Sequence, residues 1–284
     1  MFTKKIMWSA AACTMLLAVC AAHGQTRIYN TAKQKLMSGK SIVGGTVSTN
    51  DPNIYCAMAN AGFDFLWIEM QHSPLTYQDV AVMIRGCKGA PAIPFIRVPD
   101  ATEGDIQKAV DIGALGIIIP MVETVEEAEN TVRYAKYPPI GVRSQGGGQY
   151  GAMWGADYRP TANDNVMIIA MIESPKGVAI ADKIAAVPGV DVVFAASTDL
   201  SSFSGFKQGD PRYEALVTRI HDAVLASGKK LAGPLAWKDR HGYTFFQGPG
   251  ESSLIQSGAK LALGGGADPG ERRGVAATEG SEKK

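Results

Sequence analysis

Apolar runs of strand length, each separated from the next by a run of helix length, recur along this chain and restrict its fold more than any other feature. The clearest pair is VMIIAMIE at 166–173 and VDVVFAASTDLSS at 190–202, joined by the helical run SPKGVAIADKIAAVPG. Runs this apolar, with no polar alternation, are expected to be buried on both faces, and a helix-length crossover makes them parallel neighbours. Adjacent strands lie about 4.8 Å apart. Glu173 closes the first run and Asp199 the second, so both carboxylates are expected at one end of the pair. A buried acid is costly unless something neutralises it, and the pair therefore predicts a divalent cation between them.

Six further runs extend the pattern, at 41–48, 63–70, 91–99, 115–122, 229–237 and 259–265. Eight strands alternating with helices predict a parallel (β/α)8 TIM barrel, an α/β fold. Asp51 followed by Pro52 is expected to start the first intervening helix, as a cap with proline in the first turn. The rhythm breaks at 138–165, a glycine- and aromatic-rich stretch containing GVRSQGGGQYGAMWG. A loop of that length in a compact domain is usually functional or disordered. Gly146–Gly148, Gln149, Tyr150 and Trp154 are candidates for a wall of the substrate site, with a flexible surface loop as the other reading.

The two ends read differently from the middle. Lys4 and Lys5 precede an apolar run from Ile6 to Ala22, with small residues at Ala22 and Gly24. This is the layout of a cleavable secretory signal peptide at 1–24, too short for a retained span. It predicts a periplasmic or secreted protein with no stable membrane span after cleavage. Removing 24 of the 284 residues leaves 260, close to the ~250 of a single barrel. The barrel domain is expected over 25–265, and the small, charged residues of 266–284 read as a disordered tail. Cys56 and Cys87 each fall in a helical run; they could pair in an oxidising periplasm, and buried free thiols are the favoured expectation. A net charge of +1 with no basic stripe argues against a nucleic-acid partner.

In a (β/α)8 barrel the chemistry sits at the strand C-termini. Those ends carry Glu69 with Gln71 and His72, Arg97, Glu123, Glu173, Asp199, and Trp237 with Lys238. Carboxylates without histidine or thiolate partners favour a hard cation, Mg2+ or Mn2+, with Co2+ also admissible. Arg97 follows an apolar run, and its fork suits either a substrate carboxylate or enolate, or a structural pairing with Glu69 or Glu123. His72 has the acid–base range for proton transfer at neutral pH. Only Lys176 and Lys238 lie near strand ends, in helix-start or loop positions. Metal-assisted enolisation is thus preferred to imine chemistry, which needs a desolvated lysine.

The segments AGFDFLWIEMQHSP, IPFIRVP, AVDIGALGIIIPMVET, YPPIGVRS, MIESPKG and STDLSS, in this order from about Ser41 to Gly265, resemble the HpcH/HpaI aldolase/citrate lyase family. The resemblance implies a barrel in which Glu173 and Asp199 bind Mg2+ or Mn2+. It implies that Arg97 stabilises an enolate oxygen and that Ser197, Thr198 and nearby backbone amides hold the carboxylate of pyruvate or another 2-oxo acid. His72 would be the base, and Asp111 falls where the family keeps an acid that assists it, sometimes across a subunit boundary. An aldehyde would be the second small-molecule substrate, and a homo-oligomer is implied. The chain departs from the family in having Glu69-Met70-Gln71-His72 for Asp-x-Glu-His, Met171 for a glutamine, and Ala196-Ser197 for Gly-Pro. No counterpart of the family's final exchanged helix is expected after Gly265. The alternatives are a citryl- or malyl-CoA-type lyase on the same barrel and a secreted binding protein without turnover.

Overall fold

The computed structural model describes residues 26–264. The signal peptide expected at 1–24 and the tail expected at 266–284 lie outside the described residues. Eight parallel strands close into a barrel in sequence order: β1 Ile42–Val47, β2 Phe65–Glu69, β3 Ile93–Arg97, β4 Gly116–Ile119, β5 Met167–Ile172, β6 Val192–Ala195, β7 Lys230–Pro234 and β8 Tyr243–Gly250. Pairing of Ile42 with Phe245 joins the last strand to the first. The fold is therefore the (β/α)8 barrel read from the sequence. Among the described residues no helix is long and apolar enough to cross a membrane.

Strand periodicity explains how the barrel positions its mouth. Alternate side chains point inward, so Phe65, Trp67 and Glu69 form one ascending column and Phe95 and Arg97 its neighbour. The lowest layer is aromatic: Phe65 lies 4.7 Å from Phe95 and 4.6 Å from Phe245, centroid to centroid. Those rings leave no room for side chains on the adjoining strands. A Cβ on Gly44 would lie 2.2 Å from the Phe65 ring, and one on Gly116 2.2 Å from the Phe95 ring. Trp67 meets Phe194 edge-on at 5.2 Å in the next layer. Polar residues follow only above this apolar plug.

Local signals set the helix starts. Asp51 accepts from the backbone N–H groups of Asn53 and Ile54 and caps Pro52–Ala59, as expected. Capping boxes at Thr76 and Thr124 satisfy orphan donors in the same way. At the lower end Asn30 donates to the carbonyls of Leu115 (3.0 Å) and Asn165 (2.8 Å), sealing the base of the barrel.

Four expectations are corrected. The eighth strand is Tyr243–Gly250, and residues 259–263 instead complete a helix, Glu251–Leu263. The crossover from β7 to β8 holds only a short 3-10 turn, Leu235–Trp237, so the usual helix spacer is missing, and Gly-Pro-Gly at 248–250 disguises the strand. A helix therefore follows β8 ahead of Gly265, and the expectation for residues after Gly265 lies outside the described residues. That helix leaves Ile255, Leu261 and Leu263 exposed.

Cys56 and Cys87 are joined in a disulfide, their Cα atoms 5.4 Å apart. Two helices flanking β2 bring the cysteines together, which separate helical runs could not reveal.

The stretch 138–165 is no open loop, because it holds helices Tyr150–Trp154 and Tyr158–Asn165. It connects a helix end to the start of β5 and so lies at the barrel base. Gln149 there donates to the Ala81 and Ile112 carbonyls, and Trp154 to that of Gly113. Within one chain it forms no wall of the mouth.

The last correction concerns Asp199. Strand β6 ends at Ala195, and Asp199 stands in the first turn of helix Ser197–Ser204. It remains at the same end of the barrel as Glu173.

Candidate active site at the barrel mouth

Glu69 organises the floor of the mouth. Its Oε2 accepts from Trp67 Nε1 (3.1 Å), and its Oε1 accepts from the backbone N–H groups of Gln71 (2.9 Å) and His72 (3.1 Å). Arg97 Nε lies 3.1 Å from Oε1 and 3.0 Å from Oε2. Both side chains are buried. The structural pairing of Arg97 is thus with Glu69. Glu123 is committed elsewhere, to Ser174 Oγ (2.6 Å) and Lys176 Nζ (3.0 Å), which hold its carboxyl below the usual range.

Pairing through Nε does not consume the guanidinium. Arg97 Nη1 reaches only the Met171 sulfur, at 3.8 Å, a weak acceptor. Arg97 and Met171 line a cavity of about 130 Å3 together with Ser197, Thr198, Asp199 and Gln247. Arg97 therefore keeps donors for an anionic guest while Glu69 fixes its position.

Glu173 follows the last residue of β5 and is 2% exposed. Its Oε1 has no hydrogen-bond partner. Burial pushes its carboxyl up to about 7. Arg97 and a backbone hydrogen bond from Met121 pull the other way, and the charges of Asp199 and Glu69 push it further up. Met121 is the one non-glycine residue among those described with a positive φ, 53°. Such strain persists where the surroundings over-determine it, often at functional sites, and here it accompanies the bond to Glu173.

An orphaned buried oxygen, the charge of a second carboxylate and a raised pKa are together what a hard divalent cation would relieve. The donor set of Glu173 and Asp199 fits such an ion, with water or substrate completing its shell. Among the described residues no group of three His, Cys, Asp or Glu side chains converges for metal binding. The carboxylate pair would be the protein's whole contribution.

The helix Ser197–Ser204 begins without a side-chain cap, since Ala196 stands at the cap position. Uncapped first-turn N–H groups are a ready anion site. His72 is exposed on the loop after β2.

Asp111 ends the helix Glu103–Asp111, which descends from the mouth to the barrel base. It accepts from Arg143 Nη2 at 2.7 Å. Arg143 is buried against the rings of Tyr137, Tyr150 and Tyr158, its carbon centre 4.6 to 5.4 Å from their centroids. The chain thus brings Arg97, Glu173, Asp199, Ser197 and Thr198 together, sets His72 on the rim, and holds Asp111 at the far end.

Two contributors escaped the sequence reading as site residues, and a third, Glu69, was read only as a possible partner of Arg97. Gln247 lines the cavity from β8, the strand that was misplaced. Met121 gave no signal beyond following a proline. Glu69 stood at a strand end, where an acid two residues after a tryptophan and level with Arg97 was the available clue. Lys176 is exposed on Glu123 and Lys238 is exposed. The one buried lysine among the described residues, Lys136, donates to the carbonyls of Asn163 and Val166 at the barrel base.

A sequence profile described as HpcH/HpaI aldolase/citrate lyase matches residues 46–233. The chain is 34% identical to the hydroxypyruvate/pyruvate aldolase of Roseovarius nubinhibens, over 74% of this chain and 83% of that protein. It is 32% identical to the 2-keto-3-deoxy-L-rhamnonate aldolase of Klebsiella pneumoniae, over 74% of this chain and 80% of that protein. A crystal structure of an HpcH/HpaI aldolase/citrate lyase family protein from Burkholderia cenocepacia superimposes with a TM-score of 0.76 at 30% identity, covering 83% of this chain and 98% of the other.

Proposed function

The chain belongs to the HpcH/HpaI aldolase/citrate lyase family, and from that premise we propose that it is a divalent-metal-dependent aldolase. It would make or split a carbon–carbon bond next to pyruvate, acting on 4-hydroxy-2-oxo acids. The single observation that carries this reading is the buried, unpartnered Oε1 of Glu173 beside Asp199 and Arg97. Mg2+ or Mn2+ held by Glu173 and Asp199 would supply Lewis-acid stabilisation of the negative charge that develops on an enolate oxygen.

The chain's own groups divide the remaining work. Arg97, held by Glu69, directs its free Nη donors at the developing oxyanion, which favours the transition state over the ground state. The first-turn amides of 197–199 bind the substrate carboxylate and fix the plane in which the enolate forms. His72 moves the proton between substrate and solvent at the rim. Asp111 faces the opposite end of its own barrel and would assist only the His72 of another copy. A homo-oligomer is accordingly part of the proposal, and the exposed apolar side chains of Glu251–Leu263 support it. Export is supported by the Cys56–Cys87 disulfide, since such bonds persist in oxidising compartments.

The test is turnover of a 4-hydroxy-2-oxo acid with added Mg2+ or Mn2+. Activity that disappears with EDTA and in Glu173→Ala supports the reading. Equal rates with and without metal would refute it.

A further inference from the structure

A second cavity, of about 310 Å3, opens on the side of the barrel between helix Pro211–Ala226 and the crossover leading into β8. His221 lines it from the helix and His241 from the crossover, their ring centroids 5.9 Å apart. We propose that this is a transition-metal site, in which His221 and His241 bind one Zn2+-class cation and fasten the crossover to the helix.

The spacing fits. An imidazole nitrogen sits about 2.0–2.1 Å from zinc, which puts the ring centroid about 3 Å from the ion, so tetrahedral coordination by both rings sets the centroids about 5 Å apart, a small side-chain rotation from the separation seen. The nitrogen chemistry fits as well. His221 Nδ1 lies 2.8 Å from Asp222 Oδ1. A proton shared there leaves the lone pair on Nε2, the arrangement by which a carboxylate orients a metal-bound histidine. His221 Nε2 faces the crossover, because a Cβ built on Gly242 would meet it at 3.1 Å.

The charge balance excludes an anion. Arg240 is the one lysine or arginine lining the cavity, and Glu214 takes both of its terminal nitrogens at 2.8 and 3.2 Å while Trp237 stacks beneath it. Asp222 then leaves the cavity with net negative charge. Tyr243 also lines it, 5% exposed, and its hydroxyl has no partner. Water completing the ion's shell would donate to that hydroxyl oxygen.

Imidazole ligands select Zn2+, Cu2+ or Ni2+, whereas the carboxylates of the mouth suit Mg2+ or Mn2+. The two sites would sort metals by donor chemistry. A gap left by the missing crossover helix would be closed by coordination instead of by packing.

The experiment is calorimetric titration of ZnCl2 into the tag-free, full-length protein in excess Mg2+, with melting temperature as a second readout. One Zn2+ per chain is expected to bind and to raise the melting temperature by linkage. Glu173→Gln is expected to leave this uptake intact, which separates it from the mouth. His241→Ala, a change at an exposed side chain, should abolish the uptake, and Asp222→Asn should weaken it on the order of tenfold. Uptake that is unchanged in His241→Ala, lost in Glu173→Gln, or absent from the unaltered protein would overturn the proposal.

Discussion

Arg97 and Glu69 meet through one guanidinium nitrogen, Nε, which lies within 3.1 Å of both carboxylate oxygens. The geometry leaves the Nη groups turned toward the cavity and ties the loop bearing His72 to the same carboxylate through backbone N–H groups. One buried acid thus positions two groups of the proposed chemistry.

Replacing that acid separates the positioning from the fold. Glu69→Ala would strand a buried guanidinium and is expected to destabilise the protein by about 3–5 kcal/mol. Glu69→Gln keeps an acceptor for the N–H groups, so it should stay folded while kcat falls. Thermal melts and steady-state kinetics of the two variants check this. A Glu69→Gln enzyme with unaltered kcat would mean that Arg97 does not need its anchor.

Most of the barrel was legible because its strands are buried on both faces, so seven of the eight appear as uninterrupted apolar runs. β8 escaped because residues 248–250 read as a turn and no helix precedes it. Glu173 and Arg97 were legible for the same reason that their strands were, each closing an apolar run. Asp199 was found at the right end but assigned to a strand, since a short helix capped by Ala196 carries no cap signature. The Cys56–Cys87 bond and the placement of 138–165 depend on contacts between separate crossovers, which no local pattern encodes.

The aromatic plug makes a steric prediction. Gly116→Ala would place a methyl 2.2 Å from the Phe95 ring, and overpacking of this kind costs about 1–3 kcal/mol. Phe95→Leu in the same chain should recover part of the loss. Denaturant melts of the single and double variants measure the coupling, and additive effects would show that the two sites do not meet.

Lys136 gives the protein a pH-dependent stability that does not involve the mouth. Burial, reinforced by Lys33, pushes its ammonium down to about 7, whereas an unfolded lysine titrates near 10.4. Between these values the unfolded chain binds the extra proton, so the contribution of Lys136 to stability rises with pH over that window and is lost as pH falls through about 7. Lys136→Met should flatten the slope of unfolding free energy between pH 7 and 10. An unchanged slope would assign it to other groups.

The disulfide closes a loop between positions 31 residues apart that contains β2, Glu69 and His72. Chain-entropy reasoning assigns such a closure about 3–4 kcal/mol. Cys56→Ser with Cys87→Ser is expected to lower the melting temperature by about 6–15 °C for a domain of this size. An equal melting temperature in both forms would show that the bond adds nothing to stability.

The central claim is that Glu173 and Asp199 hold a divalent ion beside Arg97 and that pyruvate loses a methyl proton there. Exchange of the pyruvate methyl protons in deuterated solvent, followed by proton NMR without any aldehyde, tests it most directly. Exchange should require Mg2+ or Mn2+, stop with EDTA, and fall by orders of magnitude in Glu173→Gln and Asp199→Asn. Exchange that continues at the full rate in metal-free protein or in either variant would contradict the account.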